Sequence, residues 1–281
     1  MYFGAHVSIS GGVFNAPLNA AAIGCEVFQM FSRSPRGGNP PPLTKTVINL
    51  FKTNMALCGQ RACVIHTPYF IHLASANNRV RYGSIKVLRE ELERGTLLGA
   101  QFVMSHLGSY NDFGEKIGFI KVVEGLQKVL NGYRGSTQFL IEISAGAGNV
   151  IGGTFEQVAE IIHHPKLRAF NIGVCYDTQH AFASGYDIRT PAAVTKTFKL
   201  FDQTIGLKNL QMFHCNDSLV EFNSHKDRHA HIGEGYIGHK GFEALLSHPA
   251  VRNKNFYLET EPEKVKKDLQ ILKEIRAKFI L

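Results

Sequence analysis

The stretch DRHAHIGEGYIG, Asp227 to Gly238, sets a carboxylate, the guanidinium of Arg228 and the imidazoles of His229 and His231 ahead of a turn punctuated by Gly233, Gly235 and Gly238. Three chemistries use such a set: a solvated loop, a cradle for phosphate, or one arm of a metal site. Seven further ionisable groups stand at or just after the ends of short apolar runs: His66, His106, Glu142, Asp177, His180, His214 and Glu259. With Asp227 and His229 they make five histidines and four carboxylates. A single histidine at a strand end is usually a hydrogen-bonded structural group, and a single buried glutamate usually pairs with an arginine. Nine such groups gathered together are costly to bury unless something compensates. Four clustered carboxylates repel and take up protons without a positive charge among them. A divalent cation supplies that charge. Imidazole with carboxylate suits zinc, with manganese and iron as near competitors, and no cysteine falls in the set. Nine ligands exceed one tetrahedral site and suit two or three ions, particularly if a carboxylate bridges. Multi-metal sites commonly clamp a phosphoryl group and generate hydroxide at neutral pH, which points toward phosphate ester hydrolysis.

Only a fold can bring these groups together. Eight runs, YFGAHVSI (2–9), EVFQMF (26–31), ACVIHTP (62–68), QFVMSHLG (101–108), QFLIEIS (138–144), NIGVCYD (171–177), LQMFHCND (210–217) and NFYLETE (255–261), are short and mostly apolar on both faces, as buried parallel strands should be. Helical patterns lie between them. In TFEQVAEII, Thr154 and Gln157 make a capping box, and Phe155, Val158, Ala159 and Ile162 form the stripe. Further on, Thr190 caps, Pro191 takes the first helical position, and Val194, Phe198, Phe201 and Ile205 repeat before Gly206 stops the helix. The chain closes on Val265, Leu269, Leu272, Ile275 and Phe279. Eight strands, each followed by a helix, fit an α/β fold, the (β/α)8 TIM barrel, as a single domain over 1–281. An open doubly wound sheet would want a glycine-rich phosphate turn after the first strand, and Gly11 with Gly12 is too little. In a barrel the C-terminal strand ends and their loops carry the chemistry. From the third run to the eighth, each unit delivers an imidazole or a carboxylate to that rim.

Composition sets outer bounds. With 281 residues, 44% hydrophobic and 19% charged, the chain is globular rather than disordered. No apolar run approaches the roughly 20 residues of a membrane span. The opening MYFGAHVSIS lacks a basic segment followed by an apolar one, so no signal peptide is expected. Five scattered cysteines without a CxxC pair argue for reduced thiols and a cytoplasmic location. The net charge of +8 suits a polyanion, nucleic acid above all, although charge alone only permits that partner.

At this point particular motifs carry a resemblance. GAHVSISGG at the start, IEISAGAG, YDTQHAFASGYD, HCNDS, DRHAHIGEGYIG and LETE together resemble endonuclease IV, the zinc-dependent apurinic/apyrimidinic endonuclease family 2, across essentially the full length. The resemblance implies a xylose-isomerase-like barrel holding three zinc ions, with manganese as an alternative at one position. It places one ion on His66, His106 and Glu142. A second shares Glu142 and is held by Asp177, His214 and Glu259. The third is held by His180, Asp227 and His229, and His231 is left outside the set. The family also wedges side chains into DNA at the damaged position, and the matching residues are Arg36, Tyr69 and Phe70. An abasic nucleotide has already lost its stacking and is cheap to flip out. Arg228 is expected to face phosphate. In EISAGAG, Ile143 and Ser144 depart from the Asn and Thr more frequent in the family, which puts a hydrogen bond behind the ligands in question. The GGNPPP loop after Arg36 is unusual as well.

The activity so implied is DNA repair by hydrolysis of the phosphodiester 5′ to an abasic site, leaving a 3′-hydroxyl and a 5′-deoxyribose phosphate, with trimming of blocked 3′ ends. Hydroxide held between two ions would attack, and Glu142 and Glu259 would be the catalytic carboxylates. The partner is double-stranded DNA carrying abasic sites or blocked 3′ ends, no membrane is involved, and nothing calls for more than a monomer. The competing reading is a metal-dependent sugar isomerase or epimerase on the related barrel. Such enzymes usually hold one or two ions, so the ligand set of His180, Asp227 and His229 discriminates against them.

Overall fold

Eight short strands close into a parallel barrel in the computed structural model, which describes residues 1–279. They are β1 (Phe3–His6), β2 (Val27–Met30), β3 (Cys63–His66), β4 (Phe102–Ser105), β5 (Gln138–Glu142), β6 (Gly173–Asp177), β7 (Leu210–His214) and β10 (Asn255–Leu258). Sequence neighbours pair side by side, and β10 closes on β1. Each predicted apolar run contains one of these strands, trimmed at its ends where the ladder gives way to loop. Two short strands, β8 (Asp217–Ser218) and β9 (His229–Ala230), form a separate antiparallel ribbon that the sequence pattern did not announce.

Nine α-helices lie among the described residues: α1 (Ala16–Ala22), α2 (Lys45–Leu57), α3 (Asn78–Leu98), α4 (Glu115–Leu130), α5 (Phe155–Ile162), α6 (Thr178–Ala183), α7 (Pro191–Thr204), α8 (Gly238–Ser247) and α9 (Val265–Ala277). Thr44, Asn77, Thr154 and Thr190 start four of them, each side-chain oxygen accepting an N–H of the first turn. The capping box at α5 is only half formed. Gln157 N–H donates to Thr154 Oγ1, but the Gln157 carboxamide oxygen accepts from Gly152 and Gly153, because the preceding loop doubles back across the helix start. At the other end, Phe279 lies beyond the end of α9 and is exposed, so the final stripe stops at Ile275.

Strand alternation decides what reaches the site. A helix-facing cluster packs the outer side of the barrel, while Val27, Val64, Met104, Leu140, Cys175, Met212 and Tyr257 fill its interior. Side chains two residues apart on a strand share a face. Stepping two residues onward from those interior positions gives Gln29, His66, His106, Glu142, Asp177, His214 and Glu259. The interior layer is therefore the floor on which the polar layer stands, and emptying it would be expensive: Leu140→Ala is worth about 2–5 kcal/mol. All five cysteines are free thiols. Among the described residues no helix is long and apolar enough to cross a membrane.

Candidate metal centre

The sequence-predicted ligands meet at one mouth of the barrel. Glu142 Oε2 lies 3.1 Å from His106 Nε2 and 3.9 Å from His66 Nε2. The other oxygen of Glu142 is 2.8 Å from His214 Nδ1, which also faces Glu259 Oε2 at 3.2 Å and Asp177 Oδ2 at 3.8 Å. Farther out, His180 Nε2 and His229 Nε2 are 3.5 Å apart, and the two oxygens of Asp227 reach them at 3.2 and 3.4 Å. Asp177 leans toward this outer group too, 3.9 Å from His229 Nε2. In each of the sets His66–His106–Glu142, Glu142–Asp177–His214–Glu259 and Asp177–His180–His229, the donor atoms lie within 4.8 Å of one another. Asp227 approaches the two histidines of the third set from a more exposed position.

These residues fit a divalent cation on two grounds. Glu142 Oε2 is buried and has no hydrogen-bond partner, although it sits among imidazoles. Each histidine of the inner sets also anchors the ring nitrogen that points away from the carboxylates: His66 Nδ1 to Thr67 O, His106 Nδ1 to Ser144 Oγ at 3.4 Å and His214 Nε2 to Gln29 Oε1 at 2.7 Å. In the outer set His180 Nδ1 meets Ile143 O at 3.0 Å. Anchoring of this kind fixes the tautomer and turns the remaining lone pair toward a metal. It also disposes of the doubt about Ile143 and Ser144. The first contributes its backbone carbonyl and the second its hydroxyl, so the supporting bonds exist without Asn or Thr.

Burial opposes the charged forms of His180 and His214, yet Asp177, Asp227 and Glu142 outweigh it at His180, and Cys175 with Glu259 and Glu142 outweighs it at His214, holding both imidazoles well above the ordinary histidine range. Burial likewise opposes ionisation of Glu142, but His106 and His214 keep its carboxyl well below the usual range. Asp227 is lowered to about 2, its burial outweighed by His180 and His229. Glu259 goes the other way: burial, reinforced by Glu142 and Asp177, raises it against the pull of His214 and His229.

Local structure explains why these side chains arrive together. Asp177 ends β6 and caps α6, Oδ1 accepting from His180 N at 2.8 Å, which places His180 one turn above it. Asn216 donates to Asp177 Oδ2 at 2.7 Å and accepts from Glu259 N at 2.8 Å. The β8–β9 ribbon pairs Ser218 with His229, so that histidine comes from a strand rather than a free loop. Asp217, fully buried, accepts backbone N–H groups from Gly233, Gly235, Ile237 and Gly238 at 2.9–3.1 Å. A Cβ on Gly235 would stand 2.4 Å from Ser218 O and 2.6 Å from Asp217 Oδ1, so close approach demands glycine there. His231 turns away to Asp268 at 2.7 Å and joins no ligand set.

Sequence reading missed His6, Gln29, Asn216 and Asp217. His6 ends β1 and stands in register with Gln29, the penultimate residue of β2, which is wholly buried. The same two-residue step from Val27 would have found Gln29, but an amide inside an apolar run carries no charge to flag it.

The expected DNA contacts do not all lie together. Tyr69 is 73% exposed, with its ring edge-on to Phe31 and His66. Tyr69 and Phe70 wall a cavity of about 500 Å³ that runs to His106, Ser144, His180 and Asp227. Arg36 lies beyond Phe70 in a neighbouring groove with Arg79 and Lys86. Arg228 is separate. It lines a different cleft beside Glu259, Glu261 and Glu263, on the far side of Asp227.

A family model described as a xylose isomerase-like TIM barrel matches residues 17–275. A probable endonuclease 4 of Halothermothrix orenii is 37% identical over 260 residues, spanning 92% of this chain and 93% of its own. The crystal structure of endonuclease IV from Thermus thermophilus matches with a TM-score of 0.87 at 30% identity, over 99% of this chain and all of that one. A D-tagatose 3-epimerase-like protein matches with a TM-score of 0.73 at 21% identity, over 99% and 98% of the two chains, a likeness of fold alone.

Proposed function

This chain belongs to the endonuclease IV family of xylose isomerase-like TIM barrels, enzymes of DNA repair, and from that premise we propose that it cuts double-stranded DNA 5′ to abasic sites. The products would be a 3′-hydroxyl and a 5′-deoxyribose phosphate, and blocked 3′ ends would be trimmed at the same site by the same monomeric, single-domain barrel. The observation that carries the reading is the convergence of nine imidazoles and carboxylates at one barrel mouth, in overlapping sets with the unpartnered Glu142 Oε2 among them. Three zinc ions fit this donor set: one on His66, His106 and Glu142, one on Glu142, Asp177, His214 and Glu259, and one on His180, Asp227 and His229. Manganese could replace zinc at one of them. Bound divalent ions supply positive charge for the phosphate and lower the pKa of water.

The chain's own residues do the rest. Glu142 uses both oxygens, one toward His66 and His106 and one toward His214, and so fixes the spacing of the first two sets. Glu259, with Oε2 3.2 Å from His214 Nδ1 and its backbone held by Asn216, would orient the attacking water and take its proton. Tyr69 and Phe70 stand where a wedge into the base stack would enter, and the cavity they wall is of a size for a baseless sugar. Arg36 would meet the duplex beyond them, and Arg228 would face phosphate from the second cleft. The net charge of +8 favours association with a polyanion.

A duplex carrying one tetrahydrofuran abasic analogue, incubated with the protein with and without a chelator, tests the reading. A single chelator-sensitive cut 5′ to the analogue is expected. An intact analogue strand, or cutting at undamaged positions to the same extent, overturns it.

A further inference from the structure

We propose that Gln29 is the positioning residue of the Glu142–Asp177–His214–Glu259 set, its carboxamide dictating which nitrogen of His214 faces the cation. The inference rests on the reading above that this set holds a divalent ion.

The carboxamide sits one residue before the end of β2 with no exposure to solvent, and every polar atom it has is used. Its oxygen faces His214 Nε2 at 2.7 Å. Its nitrogen donates to Glu259 Oε1 at 2.7 Å and to His6 Nδ1 at 3.1 Å. Only one orientation is compatible with these neighbours. Reversed, the amide would set its oxygen against the Glu259 carboxylate, two acceptors 2.7 Å apart with no hydrogen between them. With the oxygen toward His214, Nε2 must carry hydrogen, so the neutral ring that a cation requires keeps its lone pair on Nδ1. That nitrogen is the one facing Glu142, Glu259 and Asp177 at 2.8, 3.2 and 3.8 Å. His66 and His106 present Nε2 to Glu142 instead, with their Nδ1 atoms anchored. His214 is thus turned the opposite way, and its anchor is a side chain from another strand. Gln29 holds the ring and at the same time ties down Glu259, a second member of the same set. Its own alignment comes from His6, its register partner on β1.

Removing the oxygen leaves the His214 ring with a buried N–H and no acceptor, free to present the wrong tautomer. Loss of such a supporting bond weakens metal binding by about 10- to 100-fold. Gln29→Met is close in volume and deletes both acceptor and donors. Gln29→Glu keeps an acceptor for His214 Nε2–H, and the proton it must share with the facing Glu259 carboxylate stands in for the lost donor.

The test is release of Zn2+ from the purified, zinc-loaded full chain as a colorimetric chelator is titrated, with thermal unfolding of the metal-free proteins as a check on folding. In Gln29→Met one ion per chain is expected to leave at about 10- to 100-fold lower chelator concentration, the remaining zinc being held as in the parent. Gln29→Glu should recover most of that loss. Release from Gln29→Met identical to the parent overturns the inference, as does a Gln29→Glu variant that folds yet holds zinc no better than Gln29→Met. If the parent itself takes up no zinc, the metal reading fails and this inference falls with it. That outcome is distinct from a parent that binds zinc beside variants that bind it equally.

Discussion

Glu142 Oε2 lies 3.1 Å from His106 Nε2, fully buried, and makes no hydrogen bond, while Glu142 Oε1 lies 2.8 Å from His214 Nδ1. One carboxylate therefore serves two neighbouring groups of imidazoles. Replacing it with a carboxamide removes the shared negative charge and turns an N–H donor toward one of the two sets. Glu142→Gln is expected to lose at least one zinc per chain by elemental analysis and to lower abasic-site cutting by about a thousandfold or more. Full zinc content in that variant would sink the bridging assignment.

Glu259 behaves differently because it stands at the edge of the set and its backbone is held by Asn216. In Glu259→Gln the fold and the DNA-facing surface stay in place. Binding of an abasic duplex, followed by fluorescence anisotropy, should remain within a few-fold of the parent, while cutting falls about 10²–10⁴-fold, the range for loss of a general base. Near-normal turnover would remove Glu259 from the chemistry.

Protons and metal compete for the same atoms, and the direction can be worked out. The metal-free fold raises His180 and His214 well above the ordinary histidine range. Their contribution to stability is complete below the ordinary value and is lost as pH rises through the raised one. Metal binding needs these rings neutral, so zinc uptake releases protons and strengthens with pH. The gap in melting temperature between zinc-loaded and metal-free protein should therefore widen from about pH 6 to about pH 8. A gap that narrows over that interval would contradict the charge balance described for the site.

The backbone tolerates little at Gly235, where an added Cβ would meet Ser218 O and Asp217 Oδ1 well inside contact distance. Gly235→Ala should pull the turn off the Asp217 carboxylate and cost about 2 kcal/mol or more in chemical denaturation. Because β9 is paired to β8 next to Asp217, His229 should shift as well, and zinc at the outer set should become easier to extract. An alanine variant as stable as the parent would show that the turn has room to relax.

How legible the site was depended on charge. His66, Glu142, Asp177 and His214 end strands whose apolar pattern is plain, so charge at a strand terminus marked them. The barrel followed from the same runs. Gln29 and His6 occupy the equivalent level on β1 and β2, but an amide and one histidine do not stand out in EVFQMF and GAHVSI. Asp217 was hidden for another reason: its partners are backbone N–H groups 16 to 21 residues later, and backbone donors leave no mark on composition. Thr154 and Gln157 show a third limit. Their spacing correctly located the start of α5, yet where the Gln157 carboxamide turned depended on a loop that sequence periodicity does not describe.

Arg36 rides on a loop whose two ends are closed by a single side chain: Arg94 on α3 donates to Ser32 Oγ and Ser32 O, both at 2.6 Å, and to Pro41 O at 2.9 Å. Ser32 in turn donates to Glu91, which also pairs with Arg33. The three donors of the guanidinium lie in one plane and reach both ends of the loop at once, a geometry that an ammonium cannot copy. Arg94→Lys should thus keep the charge but release Pro41 or Ser32, loosening residues 33–40 without touching the metal ligands. Zinc content should stay at the parent level, limited proteolysis should open a new site in this loop, and affinity for an abasic duplex should fall by about tenfold, the loss of roughly 1.4 kcal/mol. A loosened loop with unchanged DNA affinity would mean that Arg36 contributes nothing to binding, and the groove it shares with Arg79 and Lys86 would then have to be removed from the DNA-facing surface.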